Sequence, residues 1–247
     1  MLVIAHRGAN RYAPQNTLDA FRKAIEQKAD GVETDVRITK DGHLVLCHNS
    51  TIKATSDGSG KVNEKYLGEL FNYDFGSWYG SKFENTAIPT LDEFLREMKE
   101  SGAGLIDIEL KRDKRGENIV SRVIEKVRKY SLEDNVLISS FDTNLLQLAK
   151  KIEPRVKTGR LYPIFGNDVA TKLGDPVRNA YKNGYDFLLP FRNYFNEEVV
   201  KHAHEYGIKV MPWTVNKIEM IAKFKSWGVD GIITDYPDVM RNKIESL

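Results

Sequence analysis

His6-Arg7, Glu33-Thr34-Asp35, His48 and Glu109-Leu110-Lys111 are the residues of this chain whose types and spacing bear most directly on chemistry. Side chains alternate along a strand with a period of two, so Glu33 shares a face with Asp35, and Glu109 with Lys111. Brought together, the three carboxylates repel one another unless a cation neutralises them, and hard oxygen ligands favour Mg²⁺, Ca²⁺ or Mn²⁺. Arg7 offers a planar fork for phosphate oxygens and Lys111 a point charge. His6 and His48 can work as a general acid and a general base, each contributing about 10²–10⁴-fold. A dication, two fixed positive groups and an acid–base pair describe an anionic phosphodiester being cleaved. Taken singly, each feature has a plainer reading: a solvated strand face for Glu33 and Asp35, a core histidine for His6, an ion pair for Glu109 and Lys111. The weight rests on their convergence. Asp107 lies on the face of Glu109 but deeper, and reads as structural. His43 borders a turn, while His202 and His204 fall on an exposed helical pattern, so none of the three is assigned chemistry.

The elements that must position these residues recur from end to end. Short apolar runs at 2–5, 31–36, 105–110, 136–139, 156–161, 185–190, 208–213 and 231–235 alternate with amphipathic stretches. Capping signals precede some of the latter, Thr90 with Glu93 and Asn216 with Glu219. Eight strands alternating with helices predict a single (β/α)8 barrel, α/β in class, over 1–247, a length typical of that fold at about 250 residues. In such a barrel the site lies at the C-terminal strand ends, where His6-Arg7, Glu33, Asp35, Glu109, Lys111 and Trp213 all fall. His48 arrives differently. Asp41-Gly42 between two apolar runs signals a hairpin. A two-residue turn there pairs Lys40 with His43 and sets His48 directly across from Asp35.

Residues 49–88 fit no strand–helix unit and read as an insertion capping the C-terminal mouth of the barrel. Its rings, Phe71, Tyr73, Phe75, Trp78, Tyr79 and Phe83, either form a small core of its own or line the site. The single cysteine, Cys47, lies in an apolar run and is expected to be a buried, inert thiol. The net charge of +2, with acids and bases interleaved, argues against a nucleic-acid surface. The apolar start is too short for a signal peptide and no window approaches the roughly 18 apolar residues of a membrane span. The chain therefore reads as cytoplasmic, without a stable membrane anchor. Nothing in the pattern specifies an oligomeric state.

His6-Arg7-Gly8, Pro14-Gln15-Asn16-Thr17, Glu33-Thr34-Asp35-Val36, Thr39-Lys40-Asp41-Gly42 and His48, in that order, resemble the N-terminal signature of glycerophosphodiester phosphodiesterases. Glu109-Leu110-Lys111, Ser140-Phe141, Trp213-Thr214-Val215-Asn216 and the 231–235 run resemble later blocks of the family. The resemblance implies a TIM barrel and a divalent cation, Mg²⁺ or Ca²⁺, held by Glu33, Asp35 and Glu109. It implies His6 and His48 as the acid–base pair and Arg7 and Lys111 as phosphate ligands. Phe141 and Trp213 match positions that shape a glycerol pocket. The expected reaction is hydrolysis of a small glycerophosphodiester to glycerol 3-phosphate and an alcohol. Two other readings are a lysophospholipase D-like enzyme and a non-catalytic phosphate-ligand sensor. Gln15 and Asn49 stand where the family usually has acids, which removes negative charge near the site.

Overall fold

The computed structural model describes residues 1–113, 116–162 and 175–247. The apolar runs form strands β1 (Leu2–Ala5), β2 (Gly31–Ile38), β4 (Leu105–Leu110), β5 (Val136–Ser140), β6 (Lys157–Tyr162), β7 (Phe187–Pro190), β8 (Lys209–Val210) and β9 (Gly231–Thr234), with β3 (Leu44–Leu46) folded back on β2. All pair in parallel except β3, in the order β8-β7-β6-β5-β4-β2-β1-β9. The two ends of this sheet meet. Asp230 N–H donates to the Val210 carbonyl (3.1 Å), Ile233 N–H to Pro212 (3.0 Å) and Val215 N–H to Ile233 (2.8 Å). The expected eight-stranded barrel is thus present. The seventh strand is shorter than expected because Pro212 has no N–H to give, although its carbonyl still serves the ladder.

Period-two alternation decides what fills the barrel. Ile4, Leu137, Leu161, Phe187, Leu189, Met211 and Ile233 point inward and form an apolar plug. The alternate residues, such as Val3, Val32, Ile106, Ile108 and Ile138, meet the helices in a larger outer core. Each fully buried aliphatic side chain stabilises the fold by about 1.5–3 kcal/mol. The helices begin where capping residues stop the chain from extending. Thr17 Oγ1 accepts from the Ala20 N–H ahead of Leu18–Glu26, and Thr90 and Glu93 form the expected reciprocal box ahead of Leu91–Ser101. These two helices pack through Phe21 and Phe94, ring centroids 4.5 Å apart. Asn216 departs from expectation. The last-but-one helix starts at Met220 with no side-chain cap, and the Asn216 side chain is committed elsewhere.

The hairpin forms with a register one residue from the expected one. Val36 faces Leu46, Arg37 faces Val45 and Ile38 faces Leu44, so Asp35 lies opposite Cys47 rather than His48. The loop has three residues, not two. Thr39 N–H bonds the His43 carbonyl, and Gly42, at φ +86°, donates to the Thr39 carbonyl. Thr39 Oγ1 accepts from His43 N–H and donates to Asp41, whose carboxylate also receives the Leu67 N–H. That tie to the insertion draws Asp41 out of a two-residue turn. A three-residue loop closed by a left-handed glycine is the next most common solution.

Cys47 is buried in a separate small core with Val45, Ile52, Val62, Leu70, Phe75 and Ile88, and burial pushes its thiol up to about 11, consistent with inertness. Of the insertion rings, Phe75 joins this core and Tyr73 packs on it. Tyr79 meets Trp78 and Phe83 edge to face, and Phe71 and Trp78 remain exposed. None of these rings lines the cavity at the barrel mouth.

Candidate active site

Strand register builds the site. Asp35 pairs with Glu109, and Glu33 with Asp107, across adjacent β2 and β4, stacking four carboxylates in two rows at the mouth. Ile4 pairs with Gly31 and Ala5 with Val32, so His6, one step on, comes level with Glu33. One oxygen each from Glu33, Asp35 and Glu109 lie within 4.8 Å of one another, all buried.

The chain turns sharply after His6. Arg7 and Gly8 are both left-handed, at φ 54° and 76°. A Cβ on Gly8 would come within 2.6 Å of the Ala20 backbone, so only glycine fits there. Arg7 is held in its uncommon conformation by its N–H on Glu33 Oε2 (2.9 Å) and by its carbonyl, which accepts from Asn16 N–H (3.0 Å). Its guanidinium reaches Asp35 Oδ2 (3.1 Å) and Gln15 Oε1 (2.5 Å). Lys111 Nζ contacts Asp35 Oδ1 (2.7 Å) and Glu109 Oε1 (2.5 Å). Both expected phosphate cations therefore also counter the acidic cluster.

Electrostatics divides the carboxylates. Burial works against the charge on Asp35, but Lys111 and Arg7 outweigh it and hold this carboxyl well below the usual range. Burial raises Glu33, with Asp35 and Asp107 adding to the effect, and pushes Glu109 up to about 7 against the pull of Lys111. Asp35 Oδ1 is buried against the Lys111 ammonium at 2.7 Å. Three converging hard oxygens, two of them reluctant to ionise, fit a divalent cation, which would favour the ionised form of all three. Asp107, hydrogen-bonded by Ser139 (2.6 Å), is pushed up to about 8 by burial and floors the cavity rather than lying apart from it.

The two histidines have unlike partners. His6 Nδ1 donates to Asp235 Oδ1 at 2.6 Å, and its Nε2 lies 4.0 Å from Glu33. Asp235 is fixed in turn by Asn10 (2.6 Å) on that same oxygen and by Asn216 (2.5 Å) on the other. His48 Nδ1 lies 2.8 Å from Asn49 Oδ1, a neutral acceptor. Two Arg37 donors on the His48 carbonyl (3.1 and 2.6 Å) hold its backbone once the hairpin has ended. Burial, helped by Arg7, lowers His6 despite Asp235, and burial brings His48 down to about 4 despite Asp35.

His6, Arg7, Glu33, His48, Glu109, Lys111, Phe141 and Trp213 all border one cavity of about 110 Å³, and Asp35 lies behind this lining, paired with Arg7 and Lys111. Phe141 and Trp213 meet edge to face at 5.7 Å, with the indole N–H on the Leu189 carbonyl (2.8 Å). His43, His202 and His204 lie outside this cavity. Sequence reasoning missed Asp235, Asn10, Asn216 and Asn16. Asn16 Nδ2 donates to Asp35 (2.8 Å), so a residue noted only in a motif braces a candidate ligand. For Asp235 a signal existed, because barrel closure sets β9 against β1, with Ala5 paired to Thr234, and brings the next residue beside His6.

Residues 6–239 match the glycerophosphoryl diester phosphodiesterase family. A glycerophosphodiester phosphodiesterase of Caldanaerobacter subterraneus subsp. tengcongensis is 38% identical over 98% of this chain and 97% of its own length. One from Bacillus altitudinis is 32% identical over 96% of this chain and 95% of its own. Among solved structures, a phosphodiesterase of Oleispira antarctica in complex with the product sn-glycerol-3-phosphate superposes with a TM-score of 0.90 at 28% identity, covering 99% of this chain and 97% of the other. A putative glycerophosphoryl diester phosphodiesterase from Silicibacter pomeroyi gives 0.91 at 28% identity, covering 100% and 93%.

Proposed function

The chain belongs to the glycerophosphoryl diester phosphodiesterase family and is an enzyme of that class, and from this premise we propose that it hydrolyses small glycerophosphodiesters by two-histidine acid–base catalysis with a divalent cation on Glu33, Asp35 and Glu109. The observation that carries this reading is the 110 Å³ cavity, where both histidines, Arg7, Lys111 and two of the three acids converge. When bound, the cation would polarise a phosphoryl oxygen and spread the charge that develops on phosphorus. Mg²⁺ and Ca²⁺ both suit the oxygen donors.

The chain's own residues do the rest. Arg7 and the remaining N–H of Lys111 bind phosphate oxygens, while Phe141 and Trp213 close an apolar wall around the glycerol carbons. One histidine, unprotonated, takes the proton of the hydroxyl next to the phosphate ester. That oxygen attacks phosphorus as the leaving alcohol receives a proton from the other histidine, giving a five-membered cyclic phosphate. Water then opens the ring with the two histidine roles exchanged. Asp235 keeps His6 in one tautomer with Nε2 facing the site, and Asn49 does the same for His48. No helix among the described residues is long and apolar enough to cross a membrane. The cleft beside the site is walled by Arg37, Asn49, Ser50, Thr51, Arg112 and Asn144, which suits a water-soluble leaving group better than a lipid carrying an acyl chain.

The test is an assay of glycerophosphocholine, glycerophosphoethanolamine and a lysolipid with Mg²⁺ or Ca²⁺ after chelation. Turnover of the first two that is lost in chelator and restored by metal is expected. Faster turnover of the lysolipid would reassign the substrate, and no turnover of any would leave a phosphate-ligand sensor.

A further inference from the structure

Next to the catalytic cavity, and sharing His48, Glu109, Lys111 and Phe141 with it, opens a cleft of about 670 Å³. That is the size of a pocket for a ligand of many atoms, not for a choline or ethanolamine end alone. Its cations outnumber its free carboxylates. Arg37, Arg112 and Arg160 border it beyond the site itself. Glu109 is committed to Lys111 (2.5 Å). Asp142 caps the helix Thr143–Ile152 through the Asn144 N–H (3.0 Å) and lies 3.6 Å from Arg112. Arg37 and Arg160 form no ion pair with any described residue. Arg37 donates to the His48 carbonyl and Arg160 to the Asn179 side chain (2.5 Å), and the buried Nε of Arg160 has no hydrogen-bond partner. Ser50, Thr51, Thr143 and Asn144 line the same cleft with hydroxyl and amide groups.

We propose that this cleft receives a leaving group that is itself anionic and hydroxylated, an alcohol carrying a second phosphate, so that the preferred substrates are glycerophosphodiesters with two phosphate groups. A quaternary ammonium would meet three guanidinium groups and no aromatic cage, whereas a second phosphate meets planar forks suited to its oxygens. The inference rests on the phosphodiesterase reading for which bond is cut, but not for what binds.

The experiment compares two soluble diesters that share the glycerophosphoryl half, one ending in choline and one in glycerol phosphate. Affinity is measured by calorimetry on the His6→Ala protein, where turnover is blocked and the cleft is intact, and kcat/KM on the active enzyme. The two-phosphate diester is expected to bind up to about ten-fold more tightly, the upper end for two ion pairs of which the one to Arg112 is exposed. Arg160→Gln and Arg112→Gln together should erase that preference and leave the choline diester within about two-fold of its original affinity. Arg37 is left in place because it holds His48. Equal affinity for the two diesters, or an equal loss for both in the double variant, would overturn the proposal. A binding preference without hydrolysis of either diester would overturn the phosphodiesterase reading and leave the cleft assignment standing.

Discussion

His6 and Asp235, 229 residues apart in sequence, share a 2.6 Å hydrogen bond between Nδ1 and Oδ1. Barrel closure makes the contact, and Asn10 and Asn216 fix the carboxylate so that it can point nowhere else. A carboxylate in this position chooses the tautomer and supports the imidazolium whenever His6 is protonated. Asp235→Asn keeps the shape but removes the charge and can present an N–H to the ring. It is expected to lower kcat by about 10²–10⁴-fold with KM little changed. Metal affinity, measured by calorimetry, should stay within about three-fold, roughly 0.7 kcal/mol. A variant retaining full kcat would show that Asp235 only stabilises the barrel seam.

The acidic cluster gives a pH test of the cation. Glu109 is pushed up to about 7 by burial, with Asp35 adding to it, and Glu33 is raised too. A raised carboxyl binds protons in the folded state that the unfolded chain has already released. Without metal, its neutral form is fully compatible with folding below the unfolded pKa of about 4.3, and stability falls as pH rises towards about 7. A dication binding the ionised cluster reverses the trend. Its increment in Tm should therefore grow between about pH 5 and about pH 8, reaching about 5–10 °C at a hundred times Kd. An increment that is the same at both pH values would mean that the cation binds elsewhere.

Gly42 tests the hairpin that delivers His48. Its φ of +86° is uncommon for an L side chain, and a Cβ there would press to 3.1 Å on the Arg122 guanidinium, which donates to the Gly42 carbonyl. Gly42→Val should cost about 1–2 kcal/mol of stability from the left-handed backbone. Activity should fall by more than that destabilisation implies, since His48 follows the strand end by two residues. Urea unfolding set beside kcat separates the two effects, and a stable but fully active variant would sever the hairpin from catalysis.

Much of this was legible in the sequence because period-two alternation is a strong constraint. Once β2 and β4 were read as strands, Glu33, Asp35, Glu109 and Lys111 could face only one way. The structure departs from the pattern where local chemistry overrides it. Asp41-Gly42 signals a hairpin, but the register depended on Thr39 bonding both His43 and Asp41, and on Asp41 accepting from Leu67 in the insertion. A one-residue slip moved Cys47, not His48, opposite Asp35. Asn216 shows the same limit in another form. Its spacing to Glu219 suits a helix cap, yet closure of the barrel presents a carboxylate that it binds instead. Asp107 reads as structural from its depth along the strand, yet the cavity reaches down to it.

The cyclic intermediate can be tested on the substrate alone. If the neighbouring hydroxyl is the nucleophile, a diester lacking it retains every contact to Arg7, Lys111 and the aromatic wall but has nothing for a histidine to deprotonate. Binding should then stay within about three-fold of the parent, while kcat falls by at least about 10³-fold, the scale of a lost intramolecular nucleophile. The two quantities must separate, because a uniform loss of both would show only that the hydroxyl helps the substrate bind. Running the parent reaction in ¹⁸O-labelled water adds a positive signature, since a cyclic phosphate that accumulates early would be unlabelled and acquire one labelled oxygen only on opening. Equal rates for parent and deoxy analogue would mean that a histidine activates water directly and that the ring never forms.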